Sequence, residues 1–513
     1  MAVLGRLIIL TIRYGSQSQI CLAKTRPKLG FPRVVCVSLG CGQWSRPSAS
    51  AKAFFKNKFL RPKSSFGGKV ASMLLASRLR DTFPIYYGWI VVAASSTVVF
   101  ARMAPAITTL TVLIFPMSLQ LGWSRTLIAG SVSAGAIASL VLSPVVGWAI
   151  DRFGARPVLV VSVLALGAAM LSLAWATIPL TFYFAFAAGR VVFHTSAPIG
   201  VSTVASRWFI RKRGRAIGVI FLIGAVGGIV YTMVASLVVE NYGLKATWIV
   251  IGLMVLVISA APSLLFVAES PEDIGLLPDG DEPEITSDKS EAPIPDSSCV
   301  QGTPLSDGDH SPWLLSEAVR SRTFWLLVFM GFTCFFVHTS IGVHMGAYFR
   351  DMGLGATSAA MAVSVSWIVS AISSLVWGWI TDRVQVRHAY CWVFLVQAGS
   401  TLYLLLAGGT MGVFLASALV GVVSAGSNVV PAVIYANYFG RSSLGKIRGL
   451  GEVGVLLGQA TGPVIAGIFF GLQGVYDTIF VVFMVLALAC SLLVLKAKPP
   501  ARSKPLPAGS NVK

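Results

Sequence analysis

Two arginines interrupt apolar runs of this chain, Arg102 in VVFARMAPA and Arg190 in FAAGRVVFH. A guanidinium stays charged at any working pH, and its planar fork takes a carboxylate through two parallel N–H···O bonds. The apolar runs hold a single interior acid, Glu452 in GLGEVGV. Two buried cations with almost no carboxylates to meet them point to an anion that arrives from outside the chain. The rival reading of Arg190 is structural, a side chain that satisfies backbone carbonyls. Imidazole titrates near neutral pH, so His338 in FFVHTS is a candidate to take up a proton. A hydrogen bond between helices accounts for His338 equally well. Glu452 and His194 are further proton-coupling candidates; His194 follows Arg190 by four residues and shares its helix face, where repulsion keeps the imidazole neutral. His344 lies nearer a helix end and ranks below them. Asn428 and Tyr435, with Thr195, Ser196, Ser202, Ser424 and Ser427, either line a path or tie helices together. The seven Cys show neither a disulfide framework nor a zinc spacing, and no nucleophile stands near a base. No metal, cofactor or enzyme activity is therefore expected.

The elements that would hold these residues follow from composition. The 513 residues are 55% hydrophobic and 12% charged, with a mean hydropathy of +0.77, far more apolar than a soluble domain pair needs. Apolar stretches of roughly 20 residues recur from Tyr86 to Leu495, each long enough to cross a hydrocarbon core of about 30 Å. In lipid such runs must be helices, because a helix pairs its own backbone groups. The expected fold is an all-α membrane protein of twelve transmembrane helices. Six lie near 86–116, 125–149, 157–176, 180–206, 214–237 and 244–267, and six near 324–348, 357–381, 389–408, 412–438, 447–470 and 476–496. Pro105 is expected to break the first helix beside Arg102, leaving room for a wet pocket.

Charge divides the rest. Fifteen of the forty Lys and Arg precede residue 81, where there is no acid, so residues 1–81 read as a disordered, basic N-terminal extension rather than a nucleic-acid site. Met73 offers an alternative start. The halves are assigned to residues 82–267 and 323–497, separated by an acidic, Pro- and Ser-rich solvated linker at 268–322 and followed by a tail at 498–513. The loops after helices 2, 4, 8 and 10 carry twelve Lys and Arg: Arg152, Arg156, Arg207, Arg211, Lys212, Arg213, Arg215, Arg383, Arg387, Arg441, Lys446 and Arg448. Alternate loops carry three, Arg125, Lys245 and Arg350. The positive-inside rule then places both termini and the linker in the cytoplasm.

The halves are also copies of one another. At an offset of 231, Gly147, Trp148, Asp151, Arg152 and Arg156 fall on Gly378, Trp379, Asp382, Arg383 and Arg387. At the same offset Trp208, Gly214, Arg215 and Gly218 fall on Phe439, Gly445, Lys446 and Gly449. Two loops agreeing at one offset make a six-plus-six pseudo-symmetric repeat. Aligning Trp89 with Trp325 also brings Arg102 onto His338. Glycines at spacing four in GQATGPVIAG, 458–467, predict a close approach of the eleventh helix to a neighbour, with GAVGG at 224–228 a weaker echo.

GWAIDRFGAR at 147–156, echoed by GWITDRVQVR at 378–387, resembles the signature of the major facilitator superfamily. YYGWIVVAA, LGWSRT, SRWFIRKRGRAIGV and PEDIGLLPDG look like its oxalate/formate antiporter and monocarboxylate transporter branch. The resemblance spans about 82–497. It implies secondary transport of small organic anions, mono- or dicarboxylates, by alternating access between the halves, as proton symport or anion exchange. It also implies gating by Gly147, Asp151, Arg152, Gly154, Arg156, Asp382 and Arg383, with Asp151 bridging to the start of helix 11 when the cytoplasmic side is closed. Val384 and Gln385 replace Phe153 and Gly154 in the second copy, which departs from the pattern.

The substrate-binding set is expected to be Arg102, Arg190, His338, Asn428 and Tyr435. Expected partners are the anion, a proton or counter-anion and the lipid bilayer, with no nucleic acid. A monomer in the plasma (inner) membrane is expected. GRSSLGKI at 440–447 approaches a phosphate loop but has Ile447 at the metal-binding hydroxyl position and no preceding strand, which removes an ATP-driven pump. A drug or sugar carrier is the alternative, and an anion-sensing transceptor a more distant one.

Overall fold

The computed structural model describes residues 86–281 and 313–500, together with the backbone of four strands nearer the N-terminus. Those strands, β1 (Leu7–Tyr14), β2 (Gln17–Lys24), β3 (Arg33–Ser38) and β4 (Trp44–Ser45), form an antiparallel sheet in the order β1-β2-β3-β4 within a separate unit, Met1–Ala71. The disordered extension expected at 1–81 otherwise falls outside the described residues, as do most of the linker and the end of the tail.

From Tyr86 onward the described residues are helical, with twelve passages. In the first half, α1 is Tyr87–Ala101, resumed as Ile107–Leu121; α2 is Arg125–Phe153; α3 is Ala155–Ser172. Then α4 runs Pro179–Val191, through a π-turn Val192–Ser196, into Ala197–Trp208. The stretch Arg213–Val255 contains two passages, α5 and α6, parted at Gly243, whose φ of 78° breaks the helix. In the second half the passages are α7 (Arg322–Asp351), α8 (Ala356–Arg383), α9 (Val386–Leu406), α10 (Gly409–Phe439), α11 (Leu444–Gln473) and α12 (Asp477–Val494). Their outer surface is apolar, with Leu119, Phe184, Val257, Met411 and Leu472 among the exposed side chains, as a surface facing hydrocarbon requires.

Small residues decide which helices touch, because apolar side chains gain little by leaving lipid for each other. In α11, Gly454, Gly458 and Gly462 lie against the carbonyls of Val328, Phe332 and Phe336 of α7; a Cβ on Gly458 or Gly462 would come within 2.2 Å of those oxygens. The spacing-four glycines therefore seat α7. The echo in α5 seats α1, where a Cβ on Gly227 would come 2.7 Å from the Phe100 carbonyl oxygen.

Two elements differ from expectation. The break in α1 spans residues 102–106, where the amides of Met103, Ala104 and Ala106 bond in tight turns to carbonyls three residues back. Residues 268–281, assigned to the solvated linker, are folded: turns at Pro271–Ile274 and Pro278–Gly280 pack on the end of α4, with Pro271 and Asp279 buried. Composition hid this because the segment's acids are consumed by backbone amides and arginines. Asp279 accepts from the amides of Ile210, Arg211 and Lys212 at 2.9, 2.8 and 3.1 Å, and Glu269 meets Arg207 at 2.5 Å.

Candidate functional site

The break in α1 and the π-turn of α4 face each other, and each supplies a carbonyl that its helix leaves unpaired. Arg102, at the end of the first α1 segment, donates through Nη1 to the Phe193 carbonyl at 3.2 Å. Arg190, in α4, donates through Nη1 to the Pro105 carbonyl at 3.4 Å. Each arginine thus reaches into the irregular segment of the other's helix. Both guanidiniums stand over the Phe193 ring, 5.1 and 4.7 Å from its centroid, and Arg102 also lies 5.6 Å from that of Phe221. Gly189 admits the α1 break, with Pro105 Cβ 3.2 Å from where its own Cβ would be, and Gly135 of α2 leaves room for the Arg190 stem.

These two cations are 7% and 4% exposed, and the Nε of each has no hydrogen-bond partner. Arg190 Nη2 donates to His194 Nε2 at 2.7 Å, so that nitrogen carries the lone pair and the imidazole is neutral. Like charges against one aromatic ring repel in a low dielectric, and an anion between them would relieve that repulsion. The backbone role foreseen as the rival for Arg190 is present, but it uses only part of the fork.

A third arginine belongs to this centre. Arg448, counted from sequence as a loop charge, is 5% exposed in the second turn of α11, with Nη1 on the Ser202 hydroxyl of α4 and Nε unpartnered. Glu452 follows one turn later and interacts electrostatically with both Arg448 and Arg102. Tyr435 of α10 is buried within the field of the same Glu452 and Arg448, its hydroxyl pressed to Gly451, where a Cβ would lie 2.6 Å away. Val99, Val201, Ser202, Ile217, Ile220 and Phe221 come together in a closely packed apolar seam between α1, α4 and α5, which includes both Arg448's partner Ser202 and Arg102's ring Phe221. The signal in sequence was the spacing of Arg448 and Glu452 in RGLGEVGV, 448–455, which is too apolar for a loop.

His338 stands apart from these residues. Its ring meets Phe335 edge-on, its Nδ1 has no partner, and among the described residues no hydrogen bond or ion pair joins it to Arg102, Arg190 or Glu452. The Trp89–Trp325 alignment makes Arg102 and His338 equivalent positions of the two halves, and the helix is broken after Arg102 in α1 but continuous past His338 in α7. His344 is held between Tyr476 at 3.1 Å and the Pro463 carbonyl at 3.0 Å. Asn428 donates to the Ser424 carbonyl at 2.8 Å on its own helix, and Thr195 bonds back to Val191 in the same way.

At the basic end of the bundle the two halves meet through a reciprocal pair of crossings. Asp151, in the last turn of α2, accepts from the amides of Gly445 and Lys446 at 2.9 and 2.8 Å, the first amides of α11. Asp382, in the last turn of α8, accepts from Gly214 and Arg215 at 2.6 and 3.1 Å, the first amides of α5. A carboxylate at a helix N-terminus satisfies orphan donors and meets the positive end of the helix dipole. One turn inward, a Cβ on Gly147 would lie 2.3 Å from the Gly445 carbonyl oxygen, and one on Gly378 would lie 2.5 Å from that of Gly214. One turn further, Ser143 donates to the Gly449 carbonyl at 2.8 Å and Ser374 to that of Gly218 at 3.0 Å. Ser143 and Ser374 also lie 231 apart, a repeat pair that the charged signature overshadowed.

The remaining loop residues do not join the halves through these crossings. Gly154 has φ 101°, and Glu269 fills the space where a Cβ would be, 2.1 Å away. Arg156 donates to the Leu264 carbonyl in the helical turn Ala261–Leu265 that continues α6. Arg152 is exposed, and Arg383 lies 4.2 Å over Trp379 on its own helix. Arg213, also counted as a loop charge, is buried and bridges the halves to Asn437, while Arg441 donates to the Arg207 carbonyl at 3.0 Å. Nearby, Tyr86 donates to the Leu277 carbonyl at 2.9 Å; burial, then the neighbouring Asp279 carboxylate, raises its phenol above the ordinary range and keeps it a donor.

Monocarboxylate transporter 9 of Rattus norvegicus is 32% identical over 147 residues, 28% of this chain and 28% of that protein, and the Mus musculus protein matches to the same extent. The protein of that name from Gallus gallus is 25% identical over 186 residues, 36% of this chain and 32% of that protein. The chain therefore aligns with about a third or less of the length of these relatives. Among solved structures, the human organic anion transporter MFSD10 (TETRAN) superposes with a TM-score of 0.61 at 13% identity, covering 80% of this chain and 100% of that one. FucP, a transporter in the outward conformation, gives 0.58 at 13% identity with the same coverage. These last likenesses concern the fold. The family described as Major Facilitator Superfamily matches residues 94–415 and 345–512, and the chain, with its twelve helices in two halves joined by reciprocal crossings, belongs to that family as a multi-pass membrane transporter.

Proposed function

We propose that this transporter carries small organic anions, mono- or dicarboxylates, by alternating access of a central site to either side. The observation that carries the reading is the pair Arg102 and Arg190, buried on one aromatic ring with an open Nε each. The limited similarity to monocarboxylate transporter 9 supports it. Arg102 and Arg190 hold the carboxylate, with Tyr435 and Asn428 on the facing half. Glu452 takes up a proton in a symport cycle, with His194 and His338 as the alternative carriers; anion exchange needs none of the three. Asp151 and Asp382 latch the basic end, which the positive-inside rule makes cytoplasmic, as it does both termini. The plasma (inner) membrane and a monomeric state complete the proposal.

Uptake into proteoliposomes of formate, oxalate, pyruvate and lactate, with wild type beside Arg102→Ala and Arg190→Ala, tests it. Wild type is expected to accumulate at least one of these acids and both variants to lose it. Variants that insert normally and transport at the wild-type rate would remove the anion site. A pH gradient or an internal counter-anion in the same vesicles separates symport from exchange.

A further inference from the structure

Among the described residues, Asp279 is the only one besides glycine with a positive φ, 60°, a left-handed conformation that persists in an L residue only where contacts hold it. What holds it is a turn of the first half. Its buried carboxylate accepts from three successive amides, those of Ile210, Arg211 and Lys212 at 2.9, 2.8 and 3.1 Å, between the end of α4 and the start of α5. The amides of Gly214 and Arg215, next along, go to Asp382 of the second half at 2.6 and 3.1 Å. Arg213, between them, places its guanidinium across the seam on Asn437. One turn thus takes a carboxylate from the linker on its first part and two contacts from the other half on its second. The amides of its twin, 441–446, meet only the carboxylate of Asp151, at Gly445 and Lys446, among the described residues.

The segment that carries Asp279 is seated at both ends. Trp208 Nε1 donates to the Ala268 carbonyl at 2.9 Å, just beyond α6, and Tyr86 donates to the Leu277 carbonyl at 2.9 Å, two residues before Asp279. Between them Glu272 reaches over the seam to Arg441 at 3.4 Å, and Arg441 donates to the Arg207 carbonyl at 3.0 Å. The Glu272 pair is partly exposed and contributes little by itself. The contacts of Asp279 are sheltered, and backbone donors left without an acceptor away from water are costly. Without that carboxylate, residues 210–212 lose what fixes their backbone, and the amides of Gly214 and Arg215 lose their aim at Asp382.

We infer that Asp279 is a positioning residue for closure of the basic end, and that residues 268–281 form a clip holding the α4–α5 turn in the shape that Asp382 receives. The inference rests on the latch reading of Asp151 and Asp382 and adds a third element to it, one that the internal repeat does not double. In proteoliposomes bearing the full chain, Ser206→Cys reports the closure, because Ser206 is fully buried beside Arg213 and its hydroxyl has no partner to lose. Its maleimide labelling, less that of the chain without it, would be followed for Asp279→Gly, Asp279→Asn, Asp382→Asn and Asp151→Asn, alone and in pairs. Glycine relieves the left-handed backbone, so a residue that only shaped its own turn would be replaced by it without effect. The expectation is the reverse: Asp279→Gly speeds labelling about tenfold or more. Asp279→Asn, which tolerates the conformation and keeps one acceptor oxygen, speeds it less. Asp279→Gly with Asp382→Asn should fall short of the product of the single effects by at least about threefold, because both act on one turn, whereas Asp279→Gly with Asp151→Asn should multiply within about twofold. Labelling of Asp279→Gly at the wild-type rate, or equal shortfalls in the two pairs, overturns the positioning role and leaves the latch standing. An Asp382→Asn that alone leaves labelling unchanged removes both readings. If Asp279→Gly does not insert, the pairs made with Asp279→Asn decide in the same way.

Discussion

The basic end of the bundle and its centre treat the internal repeat in opposite ways. At the basic end the two crossings are built from twins 231 residues apart: Ser143 and Ser374, Gly147 and Gly378, Asp151 and Asp382, Gly214 and Gly445, Gly218 and Gly449. In the centre the twins part. Arg190 corresponds to Gly421, Arg448 to Ile217, and Glu452 to Phe221. A closure made by both halves against each other is a mechanical task that both perform with the same parts. A site for one polar ligand has no such symmetry to keep, and the cations can all serve one molecule.

The contrast breaks first, and most visibly, at the centre. Removing a buried cation that pairs with a charged ligand costs about 2–5 kcal/mol, so Arg102→Gln and Arg190→Gln should each lower initial uptake by roughly 100-fold, read from labelled acid in vesicles. At the basic end, Asp151→Asn and Asp382→Asn should each weaken closure by about tenfold, since each loses a charged acceptor at a helix N-terminus. The two should agree within about fivefold, because the additional Arg215 contact to Asp382, at 3.6 Å and half exposed, adds at most about 1 kcal/mol. Maleimide labelling of single cysteines placed at that end reads the closure; a tenfold disparity between the two variants would break the symmetry.

Where the copies differ in backbone, the response should differ too. Gly154→Ala forces a side chain into a left-handed conformation and onto Glu269, and thermal unfolding in detergent should show a loss of about 1–2 kcal/mol. Gln385→Ala, at the twin position with φ −56°, should stay within about 1 kcal/mol of wild type. The smallest effects belong to Ser143→Ala and Ser374→Ala, each removing one hydrogen bond worth about 1 kcal/mol and each shifting labelling at the basic end by about fivefold in the same direction.

The symmetric part of the molecule is the part most legible in the sequence. Repetition at a fixed offset exposes Asp151, Asp382 and their glycines, and apolar length exposes the helices. Arg102 and Arg190 are legible because charge inside an apolar run is costly. What hides is whatever depends on local irregularity. The π-turn of α4 has no composition of its own, so the mutual reach of Arg102 and Arg190 into each other's helices could not be read. Arg448 and Arg213 hide among true loop charges, a few residues from the helix starts, where one turn of helix decides between water and the interior. The linker's first residues hide for the converse reason, since acids that read as solvated are bound to the end of α4.

The most direct measurement is binding rather than transport, because it separates the centre from the closure. Equilibrium binding of a labelled carboxylate to the purified full chain, at fixed ionic strength, would be compared for wild type, Arg102→Gln and Asp151→Asn. The account predicts that Arg102→Gln loses saturable binding while Asp151→Asn keeps it and fails to transport at the normal rate. Saturable binding of wild-type strength to Arg102→Gln would contradict it.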